Sequence, residues 1–189
     1  MTDIEQAEEK IALCKADKIP YLNLSDLGLE VLPQSIGELT WLGALSLSRN
    51  KLTNIDAVAA LTNLHKLAFS NNNIEHIEVL RELPKIRHLF MKHNHISDIS
   101  PLQSLTKLKK IDASHNYIKN IENLTSLTDL VFLDLSHNDI KNLHPLTNIR
   151  SLVWLCIENN TNQDEIQEIL AASLPKLAHF TYDQIYSVL

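Results

Sequence analysis

The chain has 189 residues, of which 44% are apolar and 21% charged, and its formal net charge is −6. Those figures describe one ordinary soluble domain with ample material for a core. The acidic balance argues against a general binder of nucleic acid or anionic membrane and mildly favours basic partners, and no apolar run reaches the roughly 18 residues of a membrane span.

Thr2 to Lys15 reads as an amphipathic helix with Ile4, Ala7, Ile11 and Cys14 on one face. Residues 1–18 are expected to form an N-terminal cap over the end of the array that follows. The segment is charged and does not look like a secretory signal. The two cysteines, Cys14 and Cys156, lie at opposite ends of that array, too far apart for a disulfide. A reducing, cytoplasmic setting is expected.

Residues 19–160 are repetitive. Asn50, Asn72, Asn94, Asn116, Asn138 and Asn160 recur every 22 residues. Each follows by five residues an apolar residue that opens a short alternating run: Leu45, Leu67, Leu89, Ile111, Leu133 and Leu155. The unit is LxxLxLxxNxIxxIxxLxxLxx. Its LxL triplet alternates as a strand does, with both leucines facing inward. The other apolar positions, such as Leu52, Ile55, Val58, Leu61 and Leu64, follow neither strand nor helix period and fit a coil wrapped around the same core. Seven apolar side chains at ~1.5–3 kcal/mol each do not offset the ordering of one unit at ~1–2 kcal/mol per residue. Stacking is therefore required, with atypical units at both ends. The asparagine is expected to satisfy backbone groups where the chain leaves the strand.

The first unit, YLNLSDLGLEVLPQSIGELTWL, is one residue longer and carries Leu27 where the asparagine belongs. The last departs from the pattern at Asn162. Beyond it, residues 163–172 have helical spacing at Ile166, Ile169 and Leu170, and LPKLAHFTY continues with Pro175, Leu177 and Phe180. Residues 161–189 are read as a C-terminal cap.

This pattern resembles the leucine-rich repeat family over about Leu22 to Phe180. The period, with phrases such as HISDISPLQSLTKL and DIKNLHPLTNIRSL, is similar to the short repeats of internalins and of the leucine-rich regulatory subunit of protein phosphatase 1. LPQSIGELTWL resembles the LPxxIGxLxxL repeats of bacterial proteins linked to Roc GTPases and of Ras-associated leucine-rich proteins. LPKLAHFTY resembles the C-terminal cap of eukaryotic short-repeat proteins, without that cap's usual tyrosine and final aspartate. The resemblance implies an α/β solenoid, a right-handed superhelix with a parallel β-sheet on its concave face. Short irregular or 3-10 segments would lie on the convex face, with helical caps at both ends.

Residues flanking the inward leucines should form columns on the concave sheet, one strand spacing of ~4.8 Å apart. The first column is Ala44, Lys66, His88, Lys110, Phe132, Trp154; the second is Ser46, Ala68, Phe90, Asp112, Asp134, Cys156; the third is Ser48, Ser70, Lys92, Ser114, Ser136, Glu158. Aromatic rings ringed by charges mark interaction hot spots. His88, Phe90, Lys92, Lys110, Asp112, Phe132, Asp134, Trp154 and Glu158 are therefore the candidate partner-binding residues, set against the alternative that neighbouring side chains simply cover the rings. A fourth column, Arg49, Asn71, His93, His115, His137, Asn159, raises a metal hypothesis for its three histidines. An open sheet supplies no closed coordination shell, so a solvated or pH-sensitive row is favoured over it. Asp112 with Asp134 could form an acid and base pair. With only three glycines, no phosphate loop and no nucleophile motif, no catalytic residue and no cofactor are assigned.

The leading expectation is a non-catalytic, intracellular protein–protein recognition module or scaffold that binds another protein on its concave face. A self-associating structural protein, a bacterial effector and a toxin-neutralising protein stay open as alternatives, as do monomer and homodimer.

Overall fold

The computed structural model of the chain describes residues 2–160 and 173–181. Helix α1 spans Asp3–Ala16 and begins in a capping box. Thr2 Oγ1 accepts from the Glu5 amide at 3.2 Å while the Glu5 carboxylate accepts from the Thr2 amide at 2.7 Å. Ala7, Ile11 and Cys14 are buried against the first coil, as the helical spacing implies. Ile4, expected on the same face, is 43% exposed. It borders an open depression with Gly28, Leu29 and Val31 instead.

Among the described residues, eight three-residue strands form one parallel sheet in chain order. They are β1 (Tyr21–Asn23), β2 (Ala44–Ser46), β3 (Lys66–Ala68), β4 (His88–Phe90), β5 (Lys110–Asp112), β6 (Phe132–Asp134), β7 (Trp154–Cys156) and β8 (His179–Thr181). The constant spacing leaves β2 to β7 in register, and the longer connections at either end still bring β1 and β8 into step, so Leu22, Leu45, Leu67, Leu89, Ile111, Leu133, Leu155 and Phe180 stand side by side. Two residues on, Leu24, Leu47, Phe69, Met91, Ala113, Leu135 and Ile157 make a second buried column. There Ala113 is small where Met91 and Leu135 flank it, and Phe69 is the bulkiest member. The shared core is thus filled by neighbours of unequal size, not by one repeated side chain.

Opposite the sheet the chain returns through short 3-10 segments at Gln34–Glu38, Asp56–Val58, Glu78–Glu82, Ser100–Ser104, Glu122–Ser126 and His144–Asn148. A side chain two residues ahead starts four of them. Asn54, Asp98, Asn120 and Asn142 accept from the amides of Asp56, Ser100, Glu122 and His144 at 2.6, 2.7, 2.8 and 3.0 Å. These are Asx turns, which commit the chain to bend where an aliphatic side chain must also turn inward. The expected helix within residues 163–172 lies outside the described residues. Beyond it, Leu174 is buried, while Leu177 and Phe180 pack partly buried on the core as β8 extends the sheet.

The asparagine column joins one coil to the coil before it. Asn94 Nδ2 donates to Met91 O in its own coil and to Phe69 O in the preceding one, both at 3.1 Å, and its Oδ1 accepts from the Ile74 amide of that preceding coil at 3.0 Å. Asn72, Asn116, Asn138 and Asn160 repeat this pattern. Asn50 compensates for Leu27 by accepting from two amides of the first coil, Leu27 at 3.1 Å and Leu29 at 3.0 Å. The longer first coil also contains Gly28 at φ 78°, where an added Cβ would stand 2.9 Å from the Asp3 carboxylate.

Truncating Asn94 would leave the buried Ile74 amide without its acceptor and remove one of two donors from Phe69 O and from Met91 O, which Asn72 and Asn116 still serve. We expect Asn94→Ala to lower unfolding stability by about 1–3 kcal/mol, measured by urea denaturation, and the exposed Asn73→Ala to change it by less than about 0.5 kcal/mol. Equal midpoints for the two variants would remove the structural role of the column.

Candidate functional site

Strand alternation turns one residue of each LxL run to the outer face of the sheet, and parallel register lines these residues up. Lys66, His88, Lys110, Phe132 and Trp154 are consecutive neighbours in the first outer column, and Phe90, Asp112 and Asp134 in the second. His88 is exposed, whereas Phe90, Lys110, Asp112, Phe132, Asp134 and Trp154 are half-buried. Lys92 and Glu158, half-buried in the third column, complete the set proposed from sequence.

The rings are partly covered by one another. Phe132 and Trp154 stack with centroids 4.1 Å apart and planes within 6°. Lys110 Nζ lies 3.9 Å from the Phe132 centroid, and Lys66 and Lys110 approach the Phe90 ring from neighbouring strands at 5.4 Å each. Cations therefore alternate with ring faces along the strip, an arrangement favoured by the ring quadrupole.

Four members of the expected outer columns, Ser70, Ser114, Ser136 and Cys156, are buried. Cys156 is buried, because β8 pairs alongside and places Thr181 next to it. Burial pushes its thiol up, against the lowering effect of a hydrogen bond with Thr181. Ser114 and Ser136 are buried beside the acidic residues. The Ser114 and Ser136 hydroxyls donate to Asp112 and Asp134 at 2.8 and 2.7 Å, so each carboxylate is tied within its own coil. Surface depressions of about 310 and 360 Å³ lie along Glu30 to Ala57 and beside α1, and neither includes Asp112 or Asp134.

The fourth column is part of a turn. Asp26, Arg49, Asn71, His93, His115, His137 and Asn159 all have φ between 52° and 61°, the left-handed region where Asn, Asp and His are enriched. Backbone geometry thus selects these residue types. Their side chains then meet across coils: Arg49 forks onto Asp26 at 2.5 and 2.6 Å, and Asn159 contacts His137 Nε2 at 3.1 Å. His93, His115 and His137 stack at 4.0 and 3.9 Å with planes within 17° and 11°. Lone pairs lying in parallel ring planes run side by side and do not converge on one ion at the ~2.0–2.1 Å that zinc requires. Among the described residues, no group of three or more His, Cys, Asp or Glu side chains is arranged to hold a metal.

A further column went unread in the sequence. His65, Arg87 and Lys109, each one residue before its strand, are exposed along the sheet edge. The ladder continues through them, with the Arg87 amide on His65 O and the Lys109 amide on Arg87 O, both at 2.8 Å. The dipeptides His65-Lys66, Arg87-His88 and Lys109-Lys110 at the repeat spacing were the available signal.

Burial, and then the charges of His93 and His137, hold His115 below the usual imidazole range. The unfolded chain therefore takes up this proton first, and stability is lost as pH falls through the unfolded value of about 6.5. We expect the urea midpoint to fall between about pH 7.5 and pH 5, and to fall less in His115→Asn, whose side chain also tolerates the left-handed turn. Identical pH slopes would exclude the stack as the source.

Models built for leucine-rich repeats match residues 42–96 and, for two copies, 84–126. No curated protein sequence matches the chain. Among solved structures, an internalin (inlF) of Listeria monocytogenes is 28% identical with a TM-score of 0.79, covering 93% of this chain and 59% of its own. An internalin C2 of the same species is 25% identical with a TM-score of 0.85, covering 97% and 86%. A leucine-rich repeat protein of Leptospira interrogans, 23% identical with a TM-score of 0.74, covers 80% and 40% and shares the fold. The chain thus spans 59% of the first of these and 40% of the last. With the matched repeats, the in-register parallel sheet, the 3-10 return segments and the asparagine column, this chain is a leucine-rich repeat protein.

Proposed function

We propose that the protein is a recognition module that holds another protein on the concave outer face of its sheet, without chemistry of its own. The observation that carries this reading is the strip of Phe90, Phe132 and Trp154, which turn large half-buried rings outward on three neighbouring or near-neighbouring strands. Rings held rigid by stacking lose little entropy on contact and offer a large area, as interaction anchors do. Lys92, Lys110, Asp112, Asp134 and Glu158 surround them and supply polar pairing. Free, buried Cys14 and Cys156 suit a cytoplasmic setting.

The test is a pull-down comparing wild type with a variant in which Phe90, Phe132 and Trp154 are all alanine. The rings lie outside the aliphatic core, so the variant should keep the wild-type circular dichroism spectrum and lose the captured protein. The same prey on both baits would defeat the reading. If sedimentation instead gives a concentration-dependent dimer that Trp154→Ala abolishes, the occupant of this face is a second copy.

A further inference from the structure

The net charge of −6 is not the charge of the recognition face. His65, Lys66, Arg87, His88, Lys109 and Lys110 crowd the edge where β3, β4 and β5 begin. The ion pairs among the described residues are Lys15 with Glu38, Arg49 with Asp26 and Lys119 with Asp139, so none of these six groups is paired with a carboxylate. Their field is felt within the cluster: after burial, Lys66, Lys110, Arg87 and Lys109 together hold His88 below the usual imidazole range. Two residues further along the strands, roughly 7 Å away, the sign reverses at Asp112 and Asp134. The sheet face is therefore basic along one edge, with Phe132 and Trp154 continuing the Lys110 column, and acidic in the next column, where Asp112 and Asp134 follow Phe90.

We propose that the partner is engaged through an acidic peptide segment with an aromatic or aliphatic anchor, lying across β3 to β6 with its carboxylates on the basic edge. The inference rests on the sheet face being the recognition surface and specifies what that surface takes. Cations without a carboxylate partner beside half-buried, outward-turned rings are complementary to alternating carboxylates and apolar side chains. A nucleic acid fits less well. Its unbroken row of phosphates would run beside Asp112 and Asp134 at less than the ~8 Å over which salt screens charge, whereas a peptide can change sign or turn apolar from one residue to the next.

Fluorescence anisotropy with three labelled probes tests this: a peptide of alternating Glu and Tyr, its Lys and Tyr counterpart, and a short thymidine oligonucleotide. The Glu and Tyr peptide should bind, weaken with added salt, and lose at least about tenfold in affinity on a Lys66→Glu, Lys110→Glu double variant. The exposed Lys141→Glu, off the sheet, should leave affinity within about twofold. Equal or tighter binding of the Lys and Tyr peptide overturns the proposal. So do tighter binding of the oligonucleotide, indifference of the Glu and Tyr peptide to the double variant, and absence of binding up to about 1 mM. The two readings fail separately. A protein captured equally by the triple alanine variant removes the recognition face itself, while capture lost in that variant with no preference for the acidic peptide removes only the charge assignment.

Discussion

Each coil of this molecule has its unpaired backbone groups satisfied by the coil after it. Asn94 reaches back to Phe69 O and Ile74 N, and the same reach recurs down the column. An amide side chain carries both donor and acceptor, which serine or aspartate at neutral pH cannot supply in that geometry. The aliphatic columns alone would bring coils together without fixing their offset, because leucine slides against leucine at little cost. The asparagine bonds fix the offset, and a fixed offset keeps the LxL triplets paired and the outer columns straight. The candidate site is thus a by-product of register.

The left-handed turn shows how a backbone requirement becomes a surface feature. The residue before each ladder asparagine adopts positive φ, and five of the six found there are Asn or His. Placed one strand spacing apart, three imidazoles can hardly avoid stacking, at 4.0 and 3.9 Å. A row that looks chemical in the sequence follows from torsion angle and repeat length. The outer residues of the strands escape that constraint: Lys66, His88, Lys110, Phe132 and Trp154 differ from coil to coil, although any β-compatible side chain would fold there.

Legibility in the sequence followed periodicity. Aliphatic residues and asparagines recur at constant spacing, so strand positions, inward columns and the Asn50 to Asn160 ladder could be placed from letters alone. Features that depend on what lies beside a coil could not. Cys156 is covered where β8 forms next to it, and Ile4 stays open beside Gly28, Leu29 and Val31. The Asx turns at Asn54, Asp98, Asn120 and Asn142 were obscured because their column mixes two residue types and is broken by His76. The basic edge was hidden by bookkeeping of another kind, since whole-chain charge averages over faces that point in different directions.

The backward reach of the asparagines also gives the array a grammar for growth. A whole coil copied in tandem brings its own amide to serve the coil behind it and leaves its own open groups to the coil ahead, so a duplicated or deleted unit preserves every join. A single inserted residue has to be absorbed inside its own coil, as the longer first coil does where it turns at Gly28. Descendants of such a chain can lengthen or shorten in steps of one strand, each step adding or removing one rung of variable side chains, and so explore new partners without renegotiating how the chain folds.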